Sequence, residues 1–296
     1  MNDINTRLHQ IPKEKQELLE AILSDLAAMS NVQAIVLGGS YSTGMATETS
    51  DLDIGIYYFE SEPFDISAIQ GVAGKYAHDS SPTVTGFYEW GPWVNGGAWI
   101  HTQHGKVDFI YKNINQIQTT IDNAKKGVWE NHYEQQPPFG FSSIIFLAET
   151  AWCIPLHDPK GIIAALKSQV AEYPPTLKQS VIQQSLWAAE FTIWYAESIA
   201  AKNAMDLYNI VGCLTRAVKS IMEALFAMNE IYPIGDKRAI ETLEKAHIKP
   251  ANLKQKIEAI LSVDIDKSNT NISLIKSLWA ETVGLTNGSY RSFYKL

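Results

Sequence analysis

Residues 35–58 read IVLGGSYSTGMATETSDLDIGIYY, and the spacing inside this stretch restricts the fold more than any other part of the chain. An apolar run ends in Gly38-Gly39-Ser40. After a polar loop, Asp51 and Asp53 stand two apart at the head of a second apolar run. Successive side chains of a strand point to opposite faces, so residues two apart share one face. Asp51 and Asp53 should therefore point together, and carboxylates that close repel by roughly 3 kcal/mol at an effective dielectric near 20. Such repulsion is useful only with a cation between the two. A Gly-Gly-Ser turn just upstream can present backbone N–H groups to phosphate. Alone, the two acids read as solvated turn residues. With Gly38, Gly39 and Ser40 ahead of them, they read as a metal site beside a phosphate cradle, which points to nucleotide chemistry.

The 296 residues suffice for two ordinary domains, and 46% hydrophobic with 19% charged residues is a globular composition. A net charge of −8 gives no long-range attraction to nucleic acid, which argues against a nucleic-acid acceptor. Cys153 and Cys213 lie far apart in apolar surroundings and read as buried free thiols, not as a disulfide framework. The N-terminus is polar, with no apolar signal core, and no apolar run reaches the ~20 residues of a membrane span. These features predict a soluble cytoplasmic protein.

Along the chain, Leu18, Leu19, Ile22, Leu23 and Leu26 repeat at helical spacing within 12–29. Strands are predicted at Val32–Leu37, Leu52–Phe59 and Lys106–Tyr111, and helices at Phe64–Tyr76 and Asn113–Trp129. Asn95-Gly96 is a hairpin signal, and His104-Gly105 a second turn. Pro137-Pro138 breaks the chain, and 154–159 holds a last short strand. From Gly161 onward helical periodicity takes over, punctuated by prolines into about five helices. The longest, Thr176–Lys202, carries an apolar stripe of Ile182, Leu186, Ala189, Ile193 and Ala196. The expected class is α+β: a mixed sheet with flanking helices over 1–160, followed by an all-α bundle over 161–296.

Gly39-Ser40, a ten-residue spacer and Asp51-Leu52-Asp53 resemble the polymerase-beta-like nucleotidyltransferase superfamily, whose motif is Gly-Ser, a spacer of about this length and Asp-x-Asp. The resemblance covers the first ~160 residues. The layout of the remainder is similar to bacterial aminoglycoside and lincosamide nucleotidyltransferases, in which a helical bundle follows the catalytic domain. The resemblance implies that Ser40 and the backbone around Gly38 and Gly39 bind a nucleoside triphosphate, with ATP expected. It implies that Asp51 and Asp53 ligate magnesium and that Asp108, in KVDFIY, is the third acid, acting as ligand or as general base. It also implies basic groups of the helical half over the phosphates. Lys237 is the first choice and Arg216, three before Lys219, the second. The family's basic residue soon after Gly-Ser is missing here, where the chain reads Tyr41-Ser42-Thr43-Gly44, so phosphate charge must be met from elsewhere.

Magnesium takes hard oxygen ligands, and two ions about 4 Å apart can clamp the attacking and the leaving oxygen of an in-line displacement. Three carboxylates suit that clamp, and a crowded one has a raised pKa that suits a base. Trp90, Trp93 and Trp99 read first as core and second as a lining of the acceptor cleft, with Glu89 in the same segment as an alternative base. His101 and His104 read as surface, Glu149 first as half of a structural ion pair and second as a residue that supports the site from behind, and Arg216 with Lys219 equally as a solvated helix face. The expected activity is transfer of AMP from the triphosphate to a hydroxyl of a small, antibiotic-like acceptor. The alternatives are an AMP-transferase acting on proteins, as in toxin–antitoxin pairs, and a nucleotide-binding module without turnover.

Overall fold

The computed structural model describes residues 7–78, 81–202 and 206–296. The chain forms two compact units: residues 1–122 with 145–172, and residues 123–144 with 173–296.

The first unit opens with helix α1 (Lys13–Ala27), followed by strand β1 (Ala34–Leu37), short helix α2 (Gly39–Thr43) and strand β2 (Leu52–Tyr58). Helix α3 (Ile66–Tyr76) starts where the Asp65 carboxylate accepts the Ser67 N–H at 2.9 Å, a side-chain N-cap. Then come β3 (Thr83–Val84), β4 (Gly97–Thr102), β5 (Gly105–Asn113) and α4 (Ile114–Lys125), whose last residues already belong to the second unit. After β6 (Asn131–His132) and β7 (Phe141–Ser142), α5 (Ile144–Trp152), β8 (Ile154–His157) and α6 (Ile162–Gln169) return to the first unit.

Six strands make one mixed sheet in the order β3-β4-β5-β2-β1-β8, in which β2 and β5 run parallel and the other neighbours antiparallel. Alternation sorts the two faces. Leu52, Ile54, Ile56 and Tyr58 of β2 pair with Val107, Phe109, Tyr111 and Asn113 of β5. The apolar members of that set join Ile22 and Leu26 of α1 and Ile69 and Ala73 of α3 in the main core. The intervening pairs, Asp53 with Asp108, Gly55 with Ile110 and Tyr57 with Lys112, face the other way. Four pairs thus line the core face of the ladder, and on the other face Asp53 and Asp108 stand together at one end while Tyr57 is buried further along.

Asn95-Gly96 does not turn a two-strand hairpin. Asn95 is buried, its amide donating to Gln116 Oε1 at 2.7 Å and its oxygen accepting the Asn113 N–H at 2.8 Å. The side chain that favours a turn is spent here on tying a loop to the start of α4. The reversal between β4 and β5 falls instead at Gln103-His104.

The second unit is helical: α7 (Pro175–Lys202), α8 (Leu207–Met228), α9 (Ala239–Glu244), α10 (Leu253–Leu261) and α11 (Ser268–Gly284), with the small β6–β7 ladder. The stripe on α7 is buried as the periodicity predicts, and α8 packs along it. Cys153 and Cys213 are buried free thiols. No helix among the described residues is long and apolar enough to cross a membrane.

Candidate active site

The polar face of the β2–β5 ladder is fixed by backbone pairing. Asp53 and Asp108 are register partners on parallel neighbouring strands, so both side chains leave the same face. Asp51 lies one residue before β2 and is 41% exposed, whereas the Asp108 side chain is 13% exposed. Their common neighbour is Lys106, two residues ahead of Asp108 on β5. Its Nζ donates to Asp108 Oδ2 at 2.9 Å and lies 3.7 Å from Asp51 Oδ2.

Gly38 and Gly39 close the site from the β1 side. The Gly38 N–H donates to the Asp53 carbonyl at 2.8 Å. Gly39 adopts φ +58°, and a Cβ there would fall 1.7 Å from Asp53 Oδ2. Only glycine lets the backbone pass so close to that carboxylate. Ser40 follows in the first turn of α2, half-buried. The loop ahead of Asp51 is held by Lys15, a buried residue of α1 whose ammonium donates to the Ser50 carbonyl at 2.7 Å. Arg7 donates to the Ser42 carbonyl at 2.5 Å.

Electrostatics follow from this crowding. Burial, then the charges of Asp108 and Asp51, push the Asp53 carboxyl up to about 6. Asp108 is raised as well, chiefly by burial, with Lys106 opposing. Burial works against the Lys106 ammonium, but its hydrogen bond to Asp108 and the charges of Asp108 and Asp51 outweigh it and hold the pKa above the usual lysine range. Asp108 Oδ1 is buried without a hydrogen-bond partner. Such an oxygen is expensive to leave unmatched and is a natural ligand for a hard cation. Among the described residues no three His, Cys, Asp or Glu side chains form a ready-made metal cage. The carboxylate oxygens of this face are the donor chemistry that a hard cation such as magnesium takes.

Further along the same face, Lys112 of β5 pairs with Glu149 of α5 at 2.6 Å, the structural pair that the sequence reading of Glu149 expects. Trp99 stands directly opposite Asp108 on β4 and stacks on Trp90 with ring centroids 4.3 Å apart. Trp90 is 48% exposed, so this indole pair is open to solvent. Trp93 packs against Phe146 of α5. His101 and His104 are exposed.

Arg216 and Lys237 belong to the second unit. Arg216 sits over the Tyr133 ring at 5.8 Å and helps line a cavity of about 790 Å³ with Phe191, Tyr195 and Tyr208. Lys237 is exposed before α9, and Lys219 is engaged with Glu223 at 2.6 Å. Sequence reasoning gave Lys106 and Lys15 no part in the site. The signal for Lys106 was its spacing of two from Asp108 on one strand; Lys15 offered none, because its contact spans 35 residues.

Residues 15–85 match the family model of the nucleotidyltransferase domain, and residues 147–237 match that of a domain of unknown function, DUF4037. No curated protein matches the chain. Among solved structures, the chain is similar to a nucleotidyltransferase-like protein from Exiguobacterium sibiricum, with 11% sequence identity over 91% of this chain and 76% of that one, and a TM-score of 0.46. The match over 15–85 spans Gly39-Ser40 and Asp51-Leu52-Asp53 together. Residues 15–85, which carry the Gly-Ser turn and the paired acids, are thus similar to a nucleotidyltransferase domain.

Proposed function

We propose that the protein transfers AMP from ATP to a hydroxyl of a small, antibiotic-like acceptor, and that Asp51, Asp53 and Asp108 form its catalytic centre. The observation that carries this reading is the register pairing of Asp53 with Asp108 on parallel strands, with Asp51 one residue before β2 and Gly39 against the Asp53 carboxylate. Asp51 and Asp53, with Asp108 as third ligand, would hold two magnesium ions. When bound, the ions supply charge neutralisation at the phosphates and a fixed frame for them. The protein's own part is positioning and electrostatics. The backbone of Gly38 and Gly39 and the Ser40 hydroxyl orient the triphosphate. Asp108 takes the proton of the acceptor hydroxyl, whose oxygen attacks the α-phosphorus while the bond to the β-phosphate breaks and pyrophosphate leaves. The Trp90–Trp99 pair beside Asp108 supports a ring-bearing acceptor, and the surplus of acidic charge favours a cationic one.

The test is turnover of α-labelled nucleoside triphosphates with magnesium and a panel of acceptors, beside Asp51→Asn and Asp108→Asn. Label on a small molecule, lost by about 100-fold or more in both variants, is the expected result. Label on protein would move the reaction to a protein acceptor. Nucleotide binding with no pyrophosphate release would make the domain a binding module.

A further inference from the structure

Lys106 has no part in the reaction as outlined above, yet it is the residue that two of the acids share. Its ammonium lies 2.9 Å from Asp108 Oδ2 and 3.7 Å from Asp51 Oδ2, and its side chain is 32% exposed. It therefore stands where a cation common to Asp51 and Asp108 would stand, and it can be reached from solvent. We infer that Lys106 is a displaceable counter-ion of the acidic cluster and the residue that receives the triphosphate: its ammonium neutralises Asp51 and Asp108 until the metal-bound nucleotide arrives, and then moves to the phosphate oxygens. This rests on the nucleotidyl-transfer reading of the site.

Three features support it. The four-carbon stem lets the ammonium move while the β2–β5 ladder keeps the carboxylates in place. Phosphate charge has no basic partner in Tyr41-Ser42-Thr43-Gly44, and nearby cations are engaged elsewhere. Lys15 is bound to the Ser50 carbonyl, Arg7 to the Ser42 carbonyl and Lys112 to Glu149. Finally, two acids that already hold an ammonium attract a divalent ion less strongly, so metal capture becomes tied to nucleotide arrival. An idle site of this kind would not fill with metal and hydrolyse triphosphate unproductively.

The experiment measures two affinities on the full chain: Mn2+ without nucleotide, by electron paramagnetic resonance of the free ion, and α,β-methylene-ATP with saturating Mn2+, by calorimetry. Lys106→Met should bind Mn2+ about tenfold more tightly and the triphosphate analogue about tenfold more weakly than the wild type. Lys106→Arg should retain most of the analogue affinity. A distorted site would weaken both, so opposite signs separate the role from a folding defect. Unchanged Mn2+ affinity in Lys106→Met, with Asp51→Asn still abolishing Mn2+ binding, overturns the inference and leaves the site reading standing. Mn2+ binding indifferent to Asp51→Asn overturns both.

Discussion

At the residue scale, Gly39 and Asp53 depend on each other. A Cβ on Gly39 would meet Asp53 Oδ2 at 1.7 Å, and the residue already sits at φ +58°. Gly39→Ala should therefore cost about 2 kcal/mol or more and displace the Asp53 carboxylate. Thermal unfolding and triphosphate binding, measured together, should both deteriorate. Asp53 carries a second prediction. Burial and the charges of Asp108 and Asp51 raise its carboxyl from 3.8 to about 6, so the folded state keeps the proton to higher pH than the unfolded chain. Stability contributed by this group then falls as pH rises from about 4 to about 6 and stays level above. Asp53→Asn removes that penalty. Without metal, the variant should gain on the order of 2 kcal/mol at pH 7, a rise in Tm of roughly 5 °C, and gain almost nothing at pH 4. Melting curves at the two pH values check both sign and window.

At the element scale, the β4–β5 hairpin brings Trp99 opposite Asp108. Its close point is Gly97, where a Cβ would lie 2.2 Å from the Phe109 carbonyl oxygen. Gly97→Ala should force β4 away from β5, speeding amide hydrogen exchange in both strands while α1 stays protected. The strands themselves were legible, because Asp53 and Asp108 interrupt apolar runs at a period of two. That β2 and β5 are parallel neighbours was not, since alternation assigns faces but never partners. Asp108 was found through the family motif, not through spacing. Asn95-Gly96 was misread because the same amide that suits a turn suits an internal hydrogen bond equally well. The spacing of Lys106 from Asp108 is a weak signal, because a lysine two residues into a strand usually just snorkels to water.

At the scale of the whole molecule, the chain crosses between units more than once. Residues 123–144 belong with the helical unit: Thr176 Oγ1 donates to the Lys125 carbonyl at 2.6 Å, and Tyr133 lies under Arg216 and Lys219. These ties span tens of residues and leave no mark on local periodicity. A fragment of residues 161–296 lacks them, and it should remain helical by circular dichroism but melt at a lower temperature than the helical unit of the intact chain. The proposed function rests on the acidic face of the first unit. The most direct test of that centre is a crystal structure with Mn2+ and α,β-methylene-ATP, read by anomalous scattering. The account predicts manganese peaks about 2.1 Å from carboxylate oxygens of Asp51 and Asp53, with Asp108 in reach and the triphosphate along Gly39-Ser40. Manganese and nucleotide bound away from these carboxylates would contradict it.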